Sequence, residues 1–329
     1  MRRLAIATAV VIGAAGCEPT PPAPVYPPPP RFEPQPQQPP PAPDAASWGE
    51  LIDARDDLVF DGGRLHFELR HLRGRVIQTV RNDYAVEVNL WWGVRELDNL
   101  DAAATAAGTL TLPSALQAGG PGPTVVLTHF TVPSPSQPFW RVLDFRARFG
   151  DQAARPRPYS YALPFGVGQE RRVIQGFGGA FSHQGSNHYA VDFDAPEGTP
   201  ILAAREGLVV AANATATGHG ASAEWLDYTR MNFILVRHND GTLGEYLHLQ
   251  AGGVRVRAGA RVQRLDYIGL SGNTGFSTQP HLHFHVMTAA PGGGEARSFP
   301  IEFEVAPGVK AAPVEGRAYR AYERPLGRP

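Results

Sequence analysis

Residues 281–286 read His-Leu-His-Phe-His-Val. A period of two between imidazole and hydrocarbon is the pattern of a β-strand with two unlike faces. Leu282, Phe284 and Val286 would enter a core, and His281, His283 and His285 would share the opposite side, next-but-one side chains standing about 7 Å apart. A helix would scatter the same residues around its circumference. Histidine is the commonest metal ligand and the natural acid or base near neutral pH. The face therefore reads either as a metal or proton-transfer site or as a half-exposed polar face, and partners elsewhere in the chain must decide.

The rest of the composition agrees with β structure. With 36 Gly and 32 Pro the chain is rich in turn residues and poor in long helical patterns, while a hydrophobic content of 43% suffices for a globular core. The expected fold class is mainly β. The 329 residues allow two domains. The 30 basic residues balance 31 acidic ones, so no basic field marks a nucleic-acid partner.

The N-terminus reads as an export signal over residues 1–17. Arg2 and Arg3 precede an apolar run from Leu4 to Ala15 that is short for a bilayer span. The run ends in "AAGC". Cys17 is the only cysteine, so no internal disulfide can form. "AAGC" resembles a bacterial lipoprotein signal, although Ala14 stands where leucine is usual; this implies lipidation of Cys17, the alternative being ordinary cleavage near Ala15. Residues 18–47 are dominated by proline and read as an extended, disordered tether with a reach of roughly 3 Å per residue. Together these imply a membrane contact through a lipid anchor only.

Two folded regions follow. In residues 48–162 the runs "RVIQTV", "YAVEVNLWWGV", "TVVLTHFTV" and "WRVLDFRARF" are β-branched and aromatic, with turn-rich segments between them. An antiparallel β-sandwich-like domain is expected. Adjacent Trp91 and Trp92 should face opposite sides of one strand. His66, His71 and His129 are scattered and read as surface or locally hydrogen-bonded. Residues 163–303 have short strands and frequent glycines, and eight of the 11 histidines fall from His183 to His285. Residues 304–329 read as a polar tail, draped or loose.

"HYAVDFDAPEGTP" places His188 and Asp192 four apart, which returns both to one face if the segment is a strand. Neutral imidazoles and a carboxylate suit Zn2+, and a catalytic zinc has three protein ligands and one open position. His188, Asp192 and one histidine of the 281–285 strand would make such a set. In "EYLHLQ", strict alternation puts Tyr246 and His248 on one side and Leu247 and Leu249 on the other. Amide hydrolysis needs a base for the attacking water and compensation for the developing oxyanion, tasks that non-ligand histidines can share.

The motifs "HYAVD", "YLHL" and "SGNTGFSTQPHLHFHV", in this order and with the "EGTP" and "SGNTG" turns in place, resemble the lysostaphin/LytM-type zinc endopeptidases, which cleave the peptide cross-links of bacterial cell walls. The resemblance covers roughly Phe165 to Thr288. It implies an antiparallel β-sheet metallopeptidase domain with a groove floored by the metal. Carried onto matching positions it makes His188, Asp192 and His283 the ligands and His281 the catalytic base. His248 would orient the water or stabilise the transition state, and Tyr246 would pack. It also implies a peptidoglycan substrate and, with the export signal, an outer-membrane lipoprotein facing the periplasm. The chain departs from the pattern at His285, where relatives often carry an acid and where a hydrogen bond behind the metal or a plain surface position is expected. It departs again in "FSHQGSNHY", where His183 competes with His188. His219 and His238 read as non-catalytic.

Overall fold

The structure, a computed structural model, describes residues 49–102, 106–292 and 295–322. The segment read as an export signal, Cys17 and the proline-rich segment read as a tether lie outside the described residues. No helix among the described residues is long and apolar enough to cross a membrane.

The first region is two antiparallel sheets face to face. One has the spatial order Glu50–Phe60, Gly63–Leu72, Arg75–Asn82, Val125–Thr131, Asp101–Ala102; the other has Val88–Asp98 between Ala107–Leu112 and Trp140–Phe149. The hairpin Gly63–Leu72/Arg75–Asn82 closes through Arg73 and Gly74, with φ of 50° and 76°. Positive φ at both central residues is the turn that matches the twist of a two-residue hairpin, and glycine supplies one of them without strain. Alternation along the strands sends Leu65, Phe67 and Leu69 inward from one sheet to meet Val88, Leu90 and Trp92 from the other. Trp91 lies on the opposite side of its strand, under the Arg146 guanidinium at 4.9 Å. The hairpin over residues 50–72 is built of mixed charged and apolar residues that the aromatic runs did not reveal.

The second region is a nine-stranded antiparallel sheet. Its main path runs Arg261–Val262, Gly207–Asn213, Phe233–Arg237, Leu243–Leu247, His281–Ala289, Val191–Asp194, Glu170–Gln175, Ala318–Arg320, and Ala296–Phe299 adds to the far end of the 281–289 strand. The histidine strand is thus central, and every residue in it is buried. Leu282, Phe284 and Val286 enter a core with Tyr246, Phe193 and Phe303. Each such fully buried side chain contributes about 1.5–3 kcal/mol.

The other face of this sheet is shared. Phe233, Leu235, Leu243, Leu247 and Met287 join the apolar core of the sandwich. The two regions therefore have one continuous core between them, and the sandwich sits on the same sheet face that carries the histidines. Two expected boundaries shift as a result. Ser160–Ala162 pairs in parallel with Glu302–Ala306, so the strand ending at Ala162 belongs with the second region. The expected loose tail after residue 303 instead forms Val309–Ala311 and Ala318–Arg320, the latter completing the sheet edge against Glu170–Arg172. Backbone pairing with an open edge holds this segment although its side chains are mostly polar or small.

Candidate metal centre and active site

Asp192 and His283 are direct cross-strand partners in the register of Val191–Asp194 with His281–Ala289. His283 Nδ1 lies 2.9 Å from Asp192 Oδ1. The third member of the cluster is His183, whose Nε2 lies 3.1 Å from the same oxygen. The ligand atoms of His183, Asp192 and His283 all fall within 4.8 Å of one another. His183 is 0% exposed.

His188 does not join them. The four-residue spacing to Asp192 has its strand meaning only if both ends lie on a strand, but Gly185–Asn187 is a 3-10 turn capped by His188, and the strand begins at Val191. The His188 side chain is exposed, stands edge-on to Tyr189 at 4.7 Å and packs against Gly178. The expectation that His188 is a ligand is therefore corrected: the loop before the turn, not the turn itself, enters the site.

Gln175 makes that possible. Its Nε2 donates to Asp192 Oδ2 at 3.0 Å, and its Oε1 accepts from the backbone N–H of Phe181 and Ser182 at 3.1 and 3.3 Å. One side chain thereby orients the carboxylate and anchors the loop carrying His183. Gly179 is required there, because a Cβ would come within 2.3 Å of the Gln175 side chain. No pattern in the sequence marks Gln175.

The hydrogen bonds fix which nitrogens carry protons. A carbonyl oxygen only accepts, so His183 Nδ1–H donates to Gly176 O at 2.8 Å, and its Nε2 holds a lone pair in the neutral ring. That Nε2 is buried, lacks a hydrogen-bond partner and faces a carboxylate oxygen. Two acceptors at that distance repel unless a cation lies between them. Asp192 is held anionic: burial alone would raise its pKa, but the His183 and His283 rings set against its carboxylate bring it well below the usual carboxylate range. The histidine–carboxylate donor set fits a divalent cation of the zinc type.

His281 and His248 stand beside this cluster without joining it. His281 Nδ1–H donates to Gln279 O at 2.8 Å, and its Nε2, free to accept, lies 3.8 Å from Asp192 Oδ1. His248 Nδ1–H donates to Thr274 O at 2.7 Å, and its ring centroid is 4.6 Å from that of His281. Burial first, then the neighbouring His281 and His283, hold the His248 pKa well below its ordinary value, so its ring is neutral. His248 does not share a side with Tyr246. The strand ends at Leu247 and His248 has φ of 63°, a left-handed conformation that turns its ring to the face carrying Asp192 and His283. Tyr246 stays in the opposite core, where its hydroxyl accepts from Ala204 N–H at 2.7 Å. A non-glycine residue held at positive φ costs about 1–3 kcal/mol and is a mark of functional sites.

A cleft of about 180 Å³ opens over these groups, lined by Asp192, His248, His281, Gln175, Ser277 and Gln279. At its rim the exposed Phe181 stacks on Phe276 with centroids 5.6 Å apart. His285 is not a surface residue: it is 2% exposed, its Nδ1 lies 3.2 Å from His283 Nε2, and its Nε2 lies 2.6 Å from Glu245 Oε2. In the sequence Glu245 is marked only by being a lone acid between Leu243 and Leu247 on one strand face. His219 and His238 lie outside the cluster; His238 packs on the far side and donates to Glu206 O at 2.9 Å.

Residues 186–296 match Peptidase family M23. That segment is a peptidase M23 domain. The match takes in Asp192, His248, His281, His283 and His285, and begins just after His183. The glycyl-glycine endopeptidase ALE-1 of Staphylococcus capitis is 42% identical to the M23 domain over 105 residues, which cover 32% of this chain and 25% of that protein. The peptidoglycan DD-endopeptidase ShyA of Vibrio cholerae is 34% identical over 100 residues, covering 30% of this chain and 20% of that one. The catalytic domain of the antimicrobial peptidase lysostaphin from Staphylococcus simulans is 31% identical over 40% of this chain and 87% of its own, with a TM-score of 0.29. The chain thus spans about a quarter or less of the full-length relatives ALE-1 and ShyA, and the sandwich lies outside the matched segment.

Proposed function

We propose that the chain is a zinc endopeptidase that hydrolyses peptide cross-links of bacterial peptidoglycan, with His183, Asp192 and His283 as ligands. The observation that carries this reading is the convergence of two imidazole nitrogens on one carboxylate oxygen, beside a third imidazole with a free nitrogen in an open cleft. A zinc ion held there would supply positive charge that acidifies a water and polarises a carbonyl.

The remaining steps fall to the chain's own groups. His281 Nε2 accepts the proton of the attacking water, and its Nδ1–H bond to Gln279 O keeps that nitrogen aimed into the cleft. His248, neutral and with Nε2 free, accepts the water's other hydrogen and orients it. The carbonyl carbon gains the water oxygen, the C–N bond breaks, and His281 returns its proton to the departing amine nitrogen. Peptidoglycan as substrate is supported by relatives named for it and by the export signal read in residues 1–17. Lipidation at Cys17 and the tether of residues 18–47 would place the enzyme on the outer membrane facing the periplasm. Diaminopimelate-containing walls, and so a D-alanyl–diaminopimelate bond, would follow from that location. An amidase-activating role without catalysis would not require a complete donor set, and the set is complete here.

The test is to incubate the zinc-loaded protein with purified peptidoglycan and separate the muropeptides. Loss of cross-linked dimers with the native chain, and none with His283→Ala, is the expected outcome. Unchanged profiles across several wall types with the native chain would end the proposal.

A further inference from the structure

Glu245 is a carboxylate placed in an apolar face. It is 2% exposed, and its strand neighbours on that face, Leu243 and Leu247, belong to the core shared with the sandwich. An unpaired buried charge there would cost several kcal/mol. Two groups meet it. The Tyr228 hydroxyl donates to Oε1 at 2.5 Å, and His285 Nε2 lies 2.6 Å from Oε2 in a bent approach. Tyr228 is held from the other side by Arg148 of the sandwich strand Trp140–Phe149, whose guanidinium sits 5.5 Å from its ring centroid.

Proton positions propagate from this carboxylate. Ionised Glu245 only accepts, so His285 carries its proton on Nε2 and has a lone pair on Nδ1. That lone pair, 3.2 Å from His283 Nε2, requires a proton on His283 Nε2. The neutral His283 ring then has its lone pair on Nδ1, the atom facing Asp192 and His183. Metal-binding histidines ordinarily pass their second N–H straight to a carboxylate or carbonyl; here a second histidine is interposed.

We propose that Glu245 and His285 are positioning residues that hold His283 in the tautomer whose Nδ1 is free to bind a metal, with Tyr228 securing the far end of the chain. This rests on the metal centre proposed above. It also gives the sandwich a part in the site, since its core covers Glu245 and its Arg148 packs on the Tyr228 ring.

Two measurements test it on the purified full chain. The first is zinc affinity by competition with a chromophoric chelator. Glu245→Gln keeps the size of the side chain and can still bond both neighbours, but removes the charge that fixes the proton on His285. Zinc binding is expected to weaken about 10- to 100-fold, while the melting temperature of the metal-free protein changes little. The second needs no variant: ¹⁵N NMR of the imidazoles in the zinc-loaded native chain should show His285 protonated at Nε2 and not at Nδ1. A proton on His285 Nδ1, or Glu245→Gln binding zinc as tightly as the native chain, overturns the positioning chain and leaves the metal centre standing. A native chain that takes up no zinc removes both.

Discussion

His183 and His188 lie five residues apart in one loop, and the structure gives them opposite fates. Replacing each in turn is therefore a sharp test of the site. His183→Asn retains a side-chain N–H that can reach Gly176 O, the partner of the native Nδ1–H, but offers no nitrogen lone pair at the position of Nε2. Apparent zinc binding energies of about 10–16 kcal/mol for four-ligand sites divide into about 3 kcal/mol per ligand, so losing one weakens binding about 100-fold at about 1.4 kcal/mol per tenfold. His188→Ala removes an exposed ring whose contacts are Tyr189 and Gly178, and should leave affinity within about twofold, as surface substitutions generally do. Chelator competition, with zinc content measured on the purified proteins and muropeptide release assayed in parallel, reads both variants. If His188→Ala abolished zinc binding while His183→Asn bound normally, the convergence argument would be refuted, and with it the placement of the 176–184 loop.

Other consequences of the geometry can be checked separately. His281→Ala and His248→Ala should each retain zinc yet lose about 10²–10⁴-fold in cross-link cleavage, the usual contribution of a proton-transferring group; chelator titration beside turnover separates the two properties. His238 is buried and neutral, its pKa lowered from 6.5 to about 4 by desolvation. The unfolded chain therefore binds the extra proton first, so the contribution of His238 to stability falls as pH drops below about 6.5 and levels off below about 4, by about 3 kcal/mol for this group. Thermal melts of the metal-free protein across that window should show the loss, and His238→Gln should make it smaller, the buried His248 and His283 accounting for what remains. Phe284→Ala, at the centre of the core beneath the histidine strand and packed on Tyr246 at 4.8 Å, should cost about 3–5 kcal/mol, with a melting temperature about 10 °C lower and no change in zinc stoichiometry for the folded fraction.

The sequence is most legible where a short-range period carries long-range meaning. The alternation in residues 281–286 assigned three side chains to a core and three to the opposite face, and the sheet places them so. It is least legible where the chain leaves regular structure. The spacing of His188 to Asp192 presumed a strand through a 3-10 turn. The pairing of Tyr246 with His248 presumed alternation through a residue at positive φ. Both errors have one cause: a period is informative only while the backbone keeps the conformation that generates it.

The polypeptide by itself determined the kind of chemistry and the strand that bears it, because side-chain type and a period of two are properties of neighbouring residues. It did not determine which loop histidine reaches the centre, nor that Gln175 orients the carboxylate, nor that Glu245 stands behind His285 under the cover of the sandwich. Those assignments depend on register between strands far apart in the chain and on where a turn releases its side chains. Only the folded sheet, which sets Asp192 opposite His283 and buries Glu245 between two apolar layers, decides them.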